Sequence, residues 1–268
     1  MPLQKSSEMP PGAIEVFGGQ GFIARLDDNC AGDDLTVVNA ARVSFGKKSV
    51  EISDGDIKML NYLAENKHMS PFRHPQISFH LKAPEMMMRQ AYKHVVGIDW
   101  TSGSPPIKDH AWNEISGRYV MYDDVYEPVT FRPQSETNKQ GSEDGDLSGH
   151  RIQAENYAVL AGILSNTEDF GEVPRNVRGA YQECIAFCKA TYQSLVDAGV
   201  SKEQARLVMP FSTFTEVIWT CSLESVLHFV KLRDHAHAQS EIREFAKAVA
   251  DLTEEKFPHS FTALMNHL

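Results

Sequence analysis

The sequence predicts an α/β (α+β) protein, with strand signals in its first half and helices in its second half. The strand signal is segment 77–82, in which apolar and polar residues alternate as they do in a half-buried strand. Pro84 then suits the first turn of a helix that runs on to His94. The helical signal begins near Tyr181, after which apolar residues recur at helical spacing.

Start and stop signals divide the second half into helices. An amphipathic stripe over residues 181–196 ends at Gly199. The start of segment 201–208 has the form of a capping box for a short helix. Ser222 can cap the next helix, and a last helix is expected over residues 237–256.

Arg233 extends the apolar stripe of the helix that Ser222 can cap. That stripe consists of Leu223, Val226, Leu227 and Val230. An unpaired buried cation is costly, so an inward-pointing Arg233 needs a partner. A bound ligand and a nearby carboxylate both remain open as that partner.

The helix that follows Pro84 has an unusual face. Met86, Gln90, Lys93, His94 and Gly97 share this side of it. Gln, Lys and His beside methionine do not suit a purely apolar contact. The face therefore either binds a polar ligand or is solvated.

The length of 268 residues allows one large domain or two small ones, and we expect a single domain over residues 1–268. The chain is 42% hydrophobic, and no apolar run is long enough to span a bilayer. Residues 1–12 are polar and lack the apolar segment of a secretory signal, so we expect a flexible N-terminus. The polar segments 98–111 and 132–150 are expected to be loop insertions. The four cysteines show no CxxC spacing, and the cytoplasm is the expected location. Cys184 and Cys188 lie four residues apart on one face of a predicted helix, where we expect them to pack in the core.

Arg118 is conspicuous because the chain as a whole is acidic. The net charge is −10, which opposes binding to nucleic acids. The run from Asn113 to Arg118 offers an amide, a carboxylate, a hydroxyl, a glycine backbone and a guanidinium. Such a run suits a small anionic ligand such as a nucleotide. A polar loop with a chance arginine is the alternative.

Other common catalytic motifs are missing from the sequence. The 11 histidines show no HExxH or similar spacing, so no metal site is expected. Glycine-rich nucleotide-binding motifs and the GxSxG nucleophile elbow are also missing. No cysteine has an obvious activating neighbour. A nucleotide or a flavin would therefore have to be held by other means.

Ordered blocks along the chain resemble the flavin-dependent thymidylate synthases from about Asn39 to Leu252. The blocks are Asn39–Phe45, His68-x-Ser70-Pro71-Phe72-x-His74, Arg89-Gln90, Asn113-Glu114-x-Ser116-x-Arg118-Tyr119, Ala205-Arg206, and Leu232-Arg233 with His237 to Arg243. Each block alone is a weak signal, but several blocks in this order are a strong one.

The resemblance implies the fold of that family, with a mixed or antiparallel sheet, and a homotetramer whose active sites form at subunit interfaces. It implies reductive methylation of dUMP to dTMP. Methylenetetrahydrofolate would supply the carbon, FAD would carry the hydride and NADPH would reduce the flavin.

The resemblance also assigns roles to residues. The expected dUMP-binding residues are Arg89, Gln90, Lys93, Glu114, Ile115, Ser116, Gly117, Arg118, Arg206 and Arg233. The expected FAD contacts are Ser70, Lys93, His94, Val95, Glu114, Ser222, Glu224, His228 and His237. Arg233 is the expected catalytic residue, because a positioned arginine can stabilise charge that develops on the uracil ring without a cysteine nucleophile.

The chain departs from the family pattern at three places. The signature commonly begins Arg-His-Arg, where this chain has Lys93-His94-Val95. The spacer that follows is lengthened by residues 98–110. Glu224 stands where the family often has arginine. These departures leave open a flavin- or nucleotide-binding relative without synthase activity, and a metal-dependent nucleotide hydrolase built on the histidines is the alternative from another class.

Overall fold

The structure is a computed structural model that describes residues 7–93, 97–98, 107–108, 110–139, 141–152, 176–235 and 237–267, with only the backbone of 97–98 and 107–108. The chain divides into two compact units. One unit contains Ser116–Thr213, and the other contains Ser6–Ile115 and Phe214–Leu268. Among the described residues, no helix is long and apolar enough to cross a membrane.

The larger unit is built on a five-stranded antiparallel sheet with the order β1-β2-β3-β7-β6. A separate pair, β4 and β5, is also antiparallel. The strands are β1 (Ile14–Val16), β2 (Gly21–Arg25), β3 (Gln76–Pro84), β4 (Gly97–Ile98), β5 (Ile107–Lys108), β6 (His110–Glu114) and β7 (Phe214–Ser222). The predicted α/β class is confirmed, and the predicted strand 77–82 lies within β3.

Strand β7 lies in the half of the chain that was predicted to be helical. It pairs with β3 along its whole length and with β6 on its other edge. Both of its faces are largely buried, and only Ile218 is exposed, at 37%. Ile218 lies on the same face as Glu216 and Thr220, so an apolar residue stands where the alternation of a half-buried strand requires a polar one. Its β-branched and aromatic content was the remaining signal.

Helices of the larger unit cover one face of the sheet. The helices of the whole described chain are α1 (Asp34–Arg42), α2 (Asp54–Glu65), α3 (Glu85–Tyr92), α4 (Val177–Asp197), α5 (Lys202–Ala205), α6 (Leu223–Arg233), α7 (Ser240–Lys256) and α8 (Pro258–His267). The Phe229 ring of α6 lies 5.7 Å from Trp219 of β7 and 5.8 Å from Phe245 of α7, measured between centroids. These edge-on contacts join the sheet to two layers of helix.

The predicted helices of the second half are confirmed with small shifts of their ends. Ser222 caps α6, because its hydroxyl accepts a hydrogen bond from the Ser225 backbone N–H. The stripe of α6 is fully buried, as are Ile242 and Phe245 of α7. Ser201 precedes α5 but makes no side-chain capping bond. Helices α1, α2 and α8 were not predicted.

The two segments expected to be loop insertions differ in the structure. Segment 98–111 begins in β4, contains β5 and ends in β6, while residues 99–106 and 109 lie outside the described part. In segment 132–150 the described residues form no helix or extended strand pair, only an isolated bridge between Gln134 and Ser142.

The expected flexible N-terminus is described only from Ser7 onward. The Ser7 backbone N–H and hydroxyl donate to the Glu216 carboxylate at 2.9 and 2.7 Å. The chain is therefore attached to β7 at this residue.

Asp56 links α1 to α2 from a position that is 1% exposed. Its carboxylate accepts hydrogen bonds from the Arg42 Nε at 2.7 Å and from the Ser53 hydroxyl at 2.5 Å. Burial would raise the pKa of this carboxyl, but hydrogen bonds from Ser53, Arg42 and Ser49 outweigh burial and lower the pKa from 3.8 to about 2. Because the folded pKa is depressed, this stabilisation is present above pH 3.8 and is lost as the pH falls through about 2.

We expect Asp56→Asn to lower the free energy of unfolding at pH 7 by about 3 kcal/mol, because it removes one partner of a buried ion pair. The difference from the wild type should shrink near pH 2, where the wild-type carboxyl is also becoming neutral. Urea unfolding at both pH values measures this effect. Asp54→Asn is the control, since Asp54 is exposed in the same helical turn. An equal effect of the two substitutions would contradict the assignment.

Candidate active site

A tight turn directly after β6 presents the residues of the nucleotide-binding hypothesis. The Tyr119 and Val120 backbone N–H groups donate to the Ser116 carbonyl at 2.8 and 3.0 Å. The Arg118 N–H also lies 3.4 Å from the Ser116 hydroxyl. The turn therefore holds Ser116, Gly117 and Arg118 in one short, hydrogen-bonded segment.

Gly117 allows Arg206 to pack directly against the turn. A Cβ atom on Gly117 would lie 3.1 Å from the Arg206 Cδ and 3.3 Å from its Nη1. The same atom would lie 3.1 Å from the Met121 Cε. These distances are shorter than an ordinary contact, so glycine is the residue that leaves room for the Arg206 side chain here.

The turn 116–118 is rich in positive charge, and we call it, together with Arg206 and Lys202, the cationic turn. Arg118 and Arg206 are exposed, and neither forms an ion pair with a carboxylate in the part of the chain that the structure describes. Lys202, one turn before Arg206, donates from its Nζ to the Tyr119 carbonyl at 2.9 Å. In a chain of net charge −10, three cations at one turn are suited to an anionic ligand.

Arg233 is the last residue of α6, where a cation is favoured by the helix dipole. The side chains that precede it in the stripe are completely buried, and Arg233 itself is half-buried. Burial lowers the pKa of its guanidinium. The group nevertheless stays charged, because arginine starts from a value far above neutral pH. A partly desolvated cation interacts more strongly with a developing negative charge than an exposed one.

Helix α3 brings Gln90 to the segment that follows α6. The Gln90 Nε2 donates to the Gln239 Oε1 at 3.1 Å. The helix buries Met87, Met88 and Ala91, so the face of Met86 and Gln90 is partly solvated. Gln90 is therefore partly accessible and has a polar partner, which is compatible both with a solvated face and with one that binds a polar ligand.

Other proposed site residues at the ends of α3 and β6 are accessible. Arg89 and Lys93 are exposed, and His94 and Val95 lie outside the described residues. Glu114 is exposed at the end of β6, and its Oε1 accepts from the Thr215 hydroxyl at 2.9 Å. Ile115 donates its backbone N–H to the Glu216 carbonyl at 3.0 Å. Glu114 and Ile115 are thus both held against β7.

The flavin candidates fall into exposed and buried groups. Ser70 is exposed on the 3₁₀ turn Ser70–Arg73, His237 is exposed and His228 is half-buried. Ser222, in contrast, has no exposed surface, and its hydroxyl is used as the cap of α6. The expectation that Ser222 contacts a cofactor directly is therefore not supported by the structure. The reason is that capping the helix and pairing with β3 bury this residue completely.

Glu224 is also a poor direct contact, because the residue is 7% exposed. Its carboxylate accepts from both the Nε and the Nη2 of Arg73, the latter at 3.2 Å. Sequence reasoning missed the roles of Arg73 and Lys202. Arg73 pairs with Glu224 and Lys202 with the Tyr119 carbonyl, and in both cases the partner is distant in sequence.

The histidines do not gather with other metal-binding side chains in the described part of the chain. There is no cluster of three His, Cys, Asp or Glu residues placed to hold a metal ion among these residues. His235 and His237 are neighbours, with ring centroids 5.0 Å apart, and the His237 backbone N–H donates to the His235 Nδ1. This geometry is that of a local turn.

Two of the four cysteines, Cys30 and Cys188, are in surroundings that disfavour the thiolate. Burial raises the pKa of Cys30, and burial with the nearby Cys184 raises the pKa of Cys188. Cys221 is buried in β7. Cys184 is exposed, so the expectation that it packs in the core is wrong. A thiol that stays protonated is a weak nucleophile.

We therefore expect each of the four cysteines to be replaceable by alanine with turnover retained within about threefold, apart from a loss of stability at the buried Cys221. The measurement is the turnover rate of each variant, with circular dichroism as the check on folding. Loss of turnover in a folded single variant would show that a thiol takes part in the chemistry.

Comparison with known proteins agrees with the resemblance seen in the sequence. A family model described as thymidylate synthase complementing protein matches residues 25–259. The flavin-dependent thymidylate synthase of Thermus thermophilus is 34% identical over 250 residues, which cover 93% of this chain and 77% of that protein. The flavin-dependent thymidylate synthase of Kosmotoga olearia is 33% identical over 251 residues, which cover 92% of this chain and 91% of that protein.

A solved structure shares the fold. The UMP/dUMP methylase PolB from Streptomyces cacaoi, bound with 5-Br dUMP, has a TM-score of 0.67 at 22% sequence identity. The alignment covers 99% of this chain and 97% of that chain. The match over nearly the whole chain, at identities above 30% to curated relatives, identifies this protein as a member of the flavin-dependent thymidylate synthase family.

Proposed function

We propose that this protein is a thymidylate synthase that methylates dUMP to dTMP. The carbon donor is methylenetetrahydrofolate and the reductant is NADPH. When bound, FAD supplies the hydride that turns the transferred one-carbon unit into a methyl group. The observation that carries the proposal is the cationic turn, in which Arg206 packs on Gly117 beside Arg118.

The cationic turn suits the phosphate of dUMP. Arg118 and Arg206 each present a guanidinium, which can donate two parallel hydrogen bonds to phosphate oxygens. The Ser116 hydroxyl and the Gly117 backbone lie in the same turn. We propose the complete dUMP set as Arg89, Gln90, Lys93, Glu114, Ile115, Ser116, Gly117, Arg118, Arg206 and Arg233.

The described residues also fit a flavin that bears phosphates. Ser70, Lys93 and His237 are exposed and offer a hydroxyl, an ammonium and an imidazole, which are donors suited to an anionic, hydrogen-bonding cofactor. His228 is half-buried and Glu114 is exposed at the end of β6. We propose that these five residues, together with His94 and Val95, hold FAD. Glu224 would act through its ion-pair partner Arg73.

Arg233 is the residue that we propose for activation of the pyrimidine. Attack from C5 of uracil requires that the ring become electron-rich, and negative charge then develops at the N3/O2 edge. The half-buried guanidinium at the C-terminal end of α6 can stabilise that charge without reorganising at the moment of reaction. No thiol has to add to the ring, which agrees with the raised pKa of the Cys30 and Cys188 thiols.

We also propose a homotetramer with active sites at subunit interfaces, and the cytoplasm as the location. Support comes from family membership. Size-exclusion chromatography with light scattering measures the assembly directly.

The decisive experiment supplies purified protein with dUMP, methylenetetrahydrofolate, FAD and NADPH and measures dTMP by chromatography. Parallel reactions each omit one component, and one replaces dUMP by UMP. We expect dTMP only in the complete reaction and faster NADPH oxidation when dUMP is present. Binding of FAD without any dTMP would instead identify a relative that lacks synthase activity.

A further inference from the structure

Glu224 is paired with an arginine that comes from another element of the fold, the 3₁₀ turn Ser70–Arg73. It lies in the first turn of α6 and is 7% exposed, so its carboxylate needs a partner. Arg73 provides it, because its Nε and Nη2 donate to the two carboxylate oxygens in a forked arrangement. The charge at position 224 is thus negative, but a guanidinium lies directly against it.

The cationic end of this pair is the end that reaches solvent. The Arg73 side chain is 34% exposed, while that of Glu224 is 10% exposed. Two bonds to one buried carboxylate fix the plane of the guanidinium. Arg73 is therefore held in one orientation at the surface, as a ligand-binding arginine must be.

The 3₁₀ turn places Arg73 on the same side as Ser70. Residues three apart eclipse one another in a 3₁₀ turn, and Ser70 and Arg73 are its first and last residues. Ser70 is exposed and belongs to the proposed flavin contacts. The turn thus presents a hydroxyl and a guanidinium together, next to the N-terminus of α6.

We infer that Arg73, oriented by Glu224, binds the adenosine diphosphate half of FAD in this chain. The resemblance leads to the expectation of a cation at position 224, and the structure instead provides a guanidinium beside that position from the 3₁₀ turn. Glu224 is a positioning residue, because it acts only through Arg73. The inference rests on the proposed function, since it assumes that FAD is bound.

The test measures the dissociation constant of FAD, and separately of riboflavin, by flavin fluorescence. Arg73→Ala should weaken FAD binding roughly tenfold or more, because one charge-assisted contact is lost. It should leave riboflavin binding unchanged, since riboflavin has no phosphates. Arg73→Lys should lie between the two, because an ammonium keeps the charge but lacks the fork.

A reversal of the pair separates binding from structure. Arg73→Glu alone should bind FAD poorly, while the double variant Arg73→Glu with Glu224→Arg returns a guanidinium to α6 and should recover most of the affinity. Lys58→Ala, an exposed cation removed from α2, is the matched control and should bind as the wild type does. Thermal melting shows that each variant is folded.

Unchanged FAD affinity in Arg73→Ala, or equal losses for FAD and riboflavin, would overturn the inference without contradicting the proposed synthase activity of the wild type. A double variant that regains thermal stability but not FAD affinity would show that the pair is only structural. A wild-type protein that binds no FAD would reject the proposed cofactor and this inference together, and that outcome is visible before any variant is compared.

Discussion

Replacing Arg233 with alanine should lower the rate of dTMP formation about a hundredfold or more. One preorganised donor aimed at developing charge contributes about 2.7–4 kcal/mol in comparable sites. The partial burial of Arg233 strengthens its interaction with charge on the ring, because water screens it less. Since the charge develops in the transition state, the chemical step should suffer more than the binding of dUMP.

The measurement is a single turnover with prereduced flavin and saturating dUMP. Lys231→Ala is the matched control, because Lys231 is an exposed cation in the same last turn of α6. Arg233→Lys should rescue the rate poorly, since a point charge does not reproduce the planar fork. A near-normal rate for Arg233→Ala would make Arg233 a structural residue and place ring activation elsewhere.

The sequence predicted those elements whose burial differs between their faces. Strand β3 and helices α6 and α7 each have a buried and a less buried side, so the period of their apolar residues was readable. Strand β7 also has a less buried side, but the exposed residue on that side is the apolar Ile218, which follows Val217 directly and hides the period. Helices α1 and α2 have capping boxes at Asp33 and Ser53, which were present in the sequence but were not used.

The candidate site divides in a similar way. Arg118 and Ser116 are close in sequence, so one motif contains both. Arg73 and Glu224 are 151 residues apart, and their pairing depends on packing of the 3₁₀ turn against α6. Composition and spacing cannot reveal a partner at that separation. The same limit explains why Glu224 was interpreted as a lost cation, when the structure shows an arginine beside it.

Removing both arginines of the cationic turn should weaken dUMP binding about a hundredfold or more. Each charge-assisted hydrogen bond contributes about 1.5–3 kcal/mol, and about 1.4 kcal/mol corresponds to a factor of ten. Arg118→Ala and Arg206→Ala should therefore each cost about tenfold or more. Because both would bind one phosphate, the double variant can deviate from additivity. Titration calorimetry with dUMP at fixed ionic strength measures all three variants.

Gly117→Ala separates position from charge at the same turn. Its Cβ would approach the Arg206 Cδ and the Met121 Cε to 3.1 Å, so the arginine must shift although no charge is lost. We expect a smaller loss of dUMP affinity than in Arg206→Ala, on the order of a few-fold, since the flexible side chain can partly follow the ligand. Lys139→Ala removes an exposed cation from the same unit and should leave the affinity unchanged. Wild-type affinity in both arginine variants would exclude the turn as the phosphate site. The net charge of −10 repels an anionic nucleotide from the chain as a whole. A loss of affinity confined to the Arg118 and Arg206 variants would therefore show that two local guanidinium groups overcome this repulsion.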